Sequence, residues 1–326
     1  MAKLPTENTK TDEDWMDSAD DVDQSNIELI GPEYPYVQWV HGDPKAKKIG
    51  GVIYTGGWFF PKQQAGAEEL PGWEAGELTH DNGEETEGFF RRDIAVAVLH
   101  WRQCWGVTRA NGKKAFFAWG QYSQAEALGK ANGSRPAGRL HALCIIRGLE
   151  DTGPIILTLG GVAAASFTTG YDKAEGVLAR AARVIVKPVN ATNAKRGKST
   201  KFPYRAFWLT AGAQRNADGA PTYTIVGQAP NSSQVTLPAL IGVPDKLDID
   251  GARALFVGRE ALATLNDLYA DAADWAKAWD DIAPRADEDE DEEAEAGTPK
   301  GDAAIAEGGD GMNPYAIGPA RAETLF

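Results

Sequence analysis

Side chains that could bind a polyanion are concentrated in the middle of this 326-residue chain, between residues 89 and 210. This middle segment holds 19 Lys and Arg residues but only six Asp and Glu residues, in a protein whose formal net charge is −14. Fourteen Phe, Tyr and Trp residues are interleaved with the cations. Cations can pair with phosphates and rings can stack on nucleobases, so the composition favours a surface for single-stranded nucleic acid. Most of the rings are nevertheless expected to belong to the core.

The candidate contact residues are cations and rings that lie in predicted strands, beside them, or in one basic loop. The candidate phosphate contacts are Arg91, Arg92, Arg102, Arg139, Lys195, Arg196, Lys198 and Lys201. The candidate base-stacking rings are Trp58, Phe90 and Trp101. The alternative interpretation is that the rings are core and the basic loop, 190–201, is an ordinary solvated surface loop.

A nucleoside triphosphate site is excluded, although Gly197-Lys198-Ser199 occurs in the basic loop. The phosphate-binding motif needs a glycine where Thr192 stands, and it needs a helix to begin at the Lys-Ser pair. Here Phe202-Pro203 and a predicted strand follow instead.

Metal binding and catalysis have no recognisable signature in the chain. The four histidines, His41, His80, His100 and His141, are scattered, and Cys104 and Cys144 are far apart in sequence. Neither set has the spacing of a structural zinc site. Two isolated cysteines without a secretion signal indicate reduced, buried thiols in a cytosolic protein. We therefore expect no metal, no cofactor and no enzymatic activity.

The negative charge belongs to the two ends of the chain. Residues 1–23 hold two Lys and eight acidic residues, and residues 284–326 hold three cations and twelve acidic residues. The part between them is close to neutral, so the acidity of the whole protein is no argument against nucleic-acid binding.

The hydrophobic patterns of the middle segment predict mainly strands. Residues 88–101 are apolar on both alternating faces, which predicts a strand that is covered on both sides. The other predicted strands are 115–119, a hairpin of 139–149 with 154–159, and then 204–210, 222–226 and 234–237. Helical spacing predicts one helix over 171–186, ended by Pro188, and a second over 260–282, ended by Pro284.

The element order, strands followed by a helix and more strands, resembles the OB-fold, a five-stranded Greek-key barrel. This resemblance implies a mainly β (α+β) fold, with an OB-fold-like β-barrel that carries long insertions. One helix would follow the third or fourth strand, and a second would lie at the C-terminal end. The expected organisation is a disordered acidic arm (1–26), the β-barrel domain (27–255), an amphipathic helix (256–283) and a disordered acidic tail (284–326).

The whole arrangement resembles bacterial and phage single-stranded DNA-binding proteins, in which a basic, aromatic β-domain precedes an acidic tail ending in phenylalanine. The matching tail pieces are Asp287–Glu295 and Leu325-Phe326. In this chain the main acidic run lies well before the end, and the tip carries only Glu323. The resemblance implies that Leu325 and Phe326 bind replication or recombination proteins. The acidic run could also compete with DNA for the basic groove.

The leading hypothesis is sequence-tolerant binding of single-stranded DNA, in phage or plasmid replication or recombination. The tail would serve autoinhibition or partner recruitment. The chain has neither a signal peptide nor a run of apolar residues long enough to span a membrane, so a cytoplasmic location is expected, in the host if phage-encoded. The alternative is a non-enzymatic adaptor or virion-associated β-protein that uses Trp275 and Trp279 as an interaction surface. The oligomeric state stays open.

Overall fold

The computed structural model describes residues 34–42, 48–49, 52–53, 56–79, 85–110, 114–227 and 232–277. The predicted acidic arm (1–26), the acidic tail (284–326) and the tip residues Leu325 and Phe326 lie outside these ranges.

Strands are the most frequent regular elements of the described chain, and short helices lie between and after them. The strands are β1 (Tyr36–Val40), β2 (Lys48–Ile49), β3 (Val52–Ile53), β4 (Gly57–Pro61), β5 (Glu74–Thr79), β6 (Glu85–Arg91), β7 (Asp93–Thr108), β8 (Lys114–Ala118), β9 (Ala137–Ile146), β10 (Ile155–Gly160), β11 (Gly170–Tyr171), β12 (Ala174–Glu175), β13 (Leu209–Ala213), β14 (Tyr223–Val226), β15 (Ser233–Thr236) and β16 (Pro238–Leu240). The helices are α1 (Lys62–Ala65), α2 (Tyr122–Ala131), α3 (Gly161–Phe167), α4 (Val177–Ala181), α5 (Lys187–Lys195), α6 (Ile249–Ala254), α7 (Arg259–Asp271) and α8 (Ala273–Lys277). The predicted class, mainly β with several helices, is confirmed.

One large sheet of ten strands organises the fold. Its order is β16-β13-β7-β9-β10-β1-β4-β6-β5, with β8 pairing to β7 beside this path. Among the described ladders, β1 with β10 is the parallel pair and the others are antiparallel. The predicted hairpin is confirmed, because β9 pairs with β10 across a turn at residues 147–154.

The sheet is open, because no ladder among the described residues joins its end strands β5 and β16. One continuous chain segment nevertheless contributes to two separate places in the order of the sheet. Arg92 alone separates β6 from β7, so residues 85–108 form one long, bent run of strand. The β6 part pairs with β4, whereas the β7 part pairs with β13, β9 and β8.

The main core lies on one face of this sheet, which we call the inner face. Successive residues of a strand point to opposite faces, so alternate side chains of β1, β4, β7, β9 and β10 contribute to it. The core members include Trp39, Trp58, Val96, Leu140, Leu157 and Phe167. Helices α3 and α4 add their buried faces to the same cluster. The opposite, outer face is also largely covered, which explains why β7 is apolar on both sides.

The helix predicted over 171–186 is shifted, and the prediction that Pro188 ends it is wrong. The chain first forms the β11–β12 hairpin, and helix α4 then continues through a π-helical turn (Ala182–Val186) into α5. In this turn the Lys187 N–H bonds to the carbonyl of Ala182. Proline cannot donate a hydrogen bond and its ring clashes in a regular helix, so the wider turn just before Pro188 lets the helix continue. Residues 190–195 of the predicted basic loop are therefore helical.

The C-terminal helical region covers part of the outer face. Helix α7 begins at Arg259, close to the predicted start at Glu260, and Ala272 interrupts it before α8. The rest of the predicted helix, beyond Lys277, lies outside the described residues. None of the described helices is long and apolar enough to cross a membrane.

Candidate functional site

Two of the three candidate stacking rings are core residues, so their predicted role is corrected. Trp58 is 0% exposed, its ring packs against Trp39 and Phe167, and its Nε1–H donates to the Ala211 carbonyl at 2.9 Å. Phe90 is buried on the outer face, with its ring centroid 4.7 Å from that of Phe59. A base cannot reach either ring in this structure.

Trp101 is the candidate ring that the structure leaves accessible, at 42% exposure. It lies in a stretch of β7 that has a partner on one side, because β13 pairs with residues 93–96 and β8 with residues 104–108. Between residues 96 and 104, none of the described strands pairs with this edge of β7, which includes Trp101. A register shift between Val98 and His100 lies just before it. Such irregularities re-aim side chains, and here one follows directly before the exposed ring.

Trp101 and four residues that lie near it on the two sides of β7 form what we call the aromatic platform. Its members are His100, Trp101, Tyr204, Arg205 and Tyr269. The Tyr204 ring meets Trp101 edge to face, with centroids 5.8 Å apart. On the other side of β7, the Tyr269 ring stacks on His100 at 4.1 Å, and His100 Nε2 lies 2.7 Å from the Tyr269 carbonyl oxygen. Two of the three exposed large apolar side chains of the described residues, Trp101 and Tyr269, belong to this platform.

Arg205 supplies the positive charge of the aromatic platform. Its Cζ atom lies 3.9 Å from the Tyr269 ring centroid, and its Nε–H donates to Asn266 Oδ1 at 2.8 Å. Burial lowers the pKa of Arg205, but an arginine side chain stays protonated in a protein. Tyr269 is therefore held between His100 and Arg205, and Trp101 is the most exposed ring of the platform.

The basic segment, which we define as residues 195–201, precedes the platform in the chain. Its four candidate cations, Lys195, Arg196, Lys198 and Lys201, are all exposed. Two hydrogen bonds tie this segment to helix α5: Lys198 N–H donates to the Asn193 carbonyl, and Phe202 N–H, just after the segment, donates to Asn190 Oδ1 at 2.7 Å. Lys201 is three residues from Tyr204, so at most about 10 Å of chain separates them. Lys201 therefore lies close to Tyr204, which contacts Trp101, and Lys198, Arg196 and Lys195 follow farther back along the same segment.

Arg91 and Arg92 lie elsewhere, at the bend between β6 and β7. Arg92 is exposed, and the Arg91 guanidinium lies 5.9 Å from the Trp73 ring centroid. Nine residues of strand separate Arg92 from Trp101, which corresponds to about 30 Å. These two candidates are therefore not part of the region around the aromatic platform.

Arg102 and Arg139 lie on the outer face, and Arg102 contacts helix α8. The Arg102 guanidinium is 3.7 Å from the Trp275 ring centroid and donates to the Trp275 carbonyl. Arg139 pairs opposite Cys104, so the two arginines are diagonal neighbours across β7 and β9. His141 lies next to both arginines. Burial and the charges of Arg102 and Arg139 together lower the pKa of His141 to about 3, so its ring is neutral.

Trp275, one of the two rings of the predicted adaptor surface, is buried against Arg102. It is therefore not accessible to a protein partner in this conformation. Trp279, the other ring, lies outside the described residues.

Four platform residues were missed by the sequence analysis: His100, Tyr204, Arg205 and Tyr269. Tyr204 and Arg205 follow the basic segment directly, so that proximity was an available signal. Tyr269 lies in the C-terminal helix, which the alternative hypothesis made an interaction surface for a protein partner. Its contact with His100 of β7 joins residues 169 positions apart in the chain. No local pattern predicts such a contact.

Comparisons with models of protein families, with curated proteins and with solved structures found no match. Among the described residues, no three His, Cys, Asp or Glu side chains lie together in a way that could hold a metal ion.

Proposed function

We propose that this protein binds single-stranded DNA without strong sequence preference, through the aromatic platform and the basic segment. The observation that carries the proposal is the exposure of Trp101 beside Tyr204, close in the chain to four exposed cations. Every nucleobase has a face that can stack on such a ring, and every nucleotide brings a phosphate.

The two parts of this surface would contribute in different ways. Lys195, Arg196, Lys198 and Lys201 would displace counterions from the backbone, which makes binding dependent on salt. Trp101 and Tyr204 would stack on bases, which makes part of the affinity independent of salt. Arg205 packs on Tyr269 and directly follows Tyr204 in the chain, where it would meet a phosphate next to the stacked base.

We also propose that the large sheet curls into an OB-like barrel. Its support is the long bent run β6–β7, which pairs with β4 at one end and β9 at the other, together with the parallel pair of β1 and β10. A sheet that returns to the same strand in this way can curl into a barrel. A helix also follows β10, as expected for an OB-like fold.

We propose that the acidic tail, residues 284–326, either competes with DNA for the basic surface or binds replication or recombination proteins. Its support is the run of seven acidic residues, Asp287–Glu293. If the tail competes, a chain that ends at residue 283 will bind an oligonucleotide more tightly at low salt than the full chain. Equal affinities would contradict competition.

The proposed role of the basic segment is tested by replacing Arg196, Lys198 and Lys201 with alanine. Each lost phosphate contact lowers the magnitude of the salt slope by about 0.7 for a single strand. We therefore expect a slope smaller by about 2, together with weaker binding at low salt. The measurement is fluorescence anisotropy of a labelled oligothymidine at several salt concentrations.

The matched control removes three exposed cations from other places: Arg135, Lys173 and Lys246. It changes the net charge by the same amount but leaves the basic segment intact. If the control variant loses as much salt slope as the test variant, binding follows net charge, and the basic segment has no special role.

A further inference from the structure

Arg139 is a mostly buried cation without a charged partner among the residues that the structure describes. It lies on the outer face of β9, and its Nε–H is buried without a hydrogen-bond acceptor in the described part of the chain. None of the ion pairs of the described residues involves it. Burial lowers its pKa.

Two glycines leave the space in which the Arg139 side chain lies across the sheet. Gly160 stands directly opposite Arg139 on β10, and Gly106 lies diagonally across on β7. A Cβ atom at Gly160 would come within 3.0 Å of Arg139 Nη1, and one at Gly106 would come within 3.2 Å of Arg139 Cγ. The outer face is thus shaped around this guanidinium, and any side chain at Gly160 would crowd it.

Burying the Arg139 Nε–H without an acceptor is unfavourable, because this group loses its hydrogen bond to water and gains none in return. The positive charge of Arg102 acts in the same region, as its effect on the neutral His141 ring shows. Guanidinium groups are suited to phosphate, since their planar N–H groups match its oxygens. An oxyanion would satisfy both the buried Nε–H and the local excess of positive charge.

We propose that Arg139, whose side chain lies over Gly106 and Gly160, forms the base of a binding site for one phosphate group. The phosphate could be a free ion or belong to a bound DNA strand; the second source rests on the proposed function, and the first does not. This site is separate from the aromatic platform, and it gives Arg139 a role that exposed surface cations do not have.

The experiment follows the Nε–H resonance of Arg139 by NMR in the full chain, during titrations with inorganic phosphate and with oligothymidine at constant ionic strength. We expect a saturable shift with at least one of the two. Substitution Arg139→Gln identifies the resonance by its loss. If neither titrant shifts it, beyond a chloride control, the site does not exist.

Two substitutions separate the site from general effects of charge and folding. Gly160→Ala keeps the arginine but crowds it, so phosphate affinity should fall at least several-fold even if Arg139→Gln folds poorly. Arg135→Gln removes an exposed arginine and should leave phosphate binding unchanged. Equal phosphate affinity in the wild type and in Gly160→Ala would overturn the proposal.

The source of the phosphate follows from the DNA titrations. If a strand supplies it, Arg139→Gln reduces the salt slope by about 0.7 relative to Arg135→Gln. If the slope is unchanged while inorganic phosphate shifts the resonance, the site takes free phosphate. If the wild type binds phosphate but no oligonucleotide, the proposed function fails and the phosphate site stands.

Discussion

Replacing Trp101 with alanine should weaken binding of an oligothymidine about 5- to 150-fold, because loss of one stacked base costs about 1–3 kcal/mol. Replacing Tyr204 as well should weaken it further, since its ring meets Trp101 edge to face and lies beside the same base. The salt slope should stay unchanged, because neither substitution removes a charge. Anisotropy titrations at a single salt concentration give the affinities, and a salt series gives the slope.

The control for this prediction is Ile225→Ala, which removes a large apolar side chain that is 64% exposed in another part of the chain. It should leave DNA affinity unchanged, whereas Trp101→Phe should retain most of it because the ring still stacks. The platform has no role in binding if Trp101→Ala and Ile225→Ala bind equally well.

Replacing Trp58 with alanine should instead destabilise the fold by about 3–5 kcal/mol, the cost of emptying a large buried site. Its indole is fully buried between Trp39 and Phe167, and the substitution also removes the hydrogen bond from the indole N–H to the Ala211 carbonyl. The free energy of unfolding, from denaturant titration, measures the loss.

Trp101→Ala is the comparison for stability, because exposed positions usually change stability by no more than about 0.5 kcal/mol. The two tryptophans should thus separate cleanly: one substitution affects folding and the other affects binding. A Trp58→Ala variant that is as stable as the wild type but binds DNA weakly would contradict the assignment of Trp58 to the core.

Sequence patterns were sufficient where the structure is local. The β9–β10 hairpin follows from two apolar runs around a turn, and the start of α7 follows from its apolar stripe. The mainly β class follows from the same patterns. The position of the basic segment was also visible, since it depends on composition alone.

The accessible faces of the strands could not be predicted, for a physical reason. In β4 and much of β7 both faces are buried, so the alternation that normally marks the solvent side is absent. Trp58 and Trp101 therefore look equivalent in sequence. The register shift near His100 and the gap between β13 and β8 distinguish them, and both depend on pairing with distant strands.

The helical path through Pro188 shows a second limit. A proline normally ends a helix, and the sequence gives no sign that a π-helical turn would accommodate it. This helical path also affects the candidate site, because helix α5 extends to Lys195 and thereby fixes the start of the basic segment.

The most direct test of DNA binding by this surface is a salt titration of the full wild-type chain with a labelled oligothymidine. The account predicts measurable binding at about 50 mM salt, where phosphate contacts are strong, and a linear fall of log affinity with log salt concentration. It also predicts quenching of tryptophan fluorescence that disappears in Trp101→Ala. An absence of binding at about 50 mM salt would contradict the account.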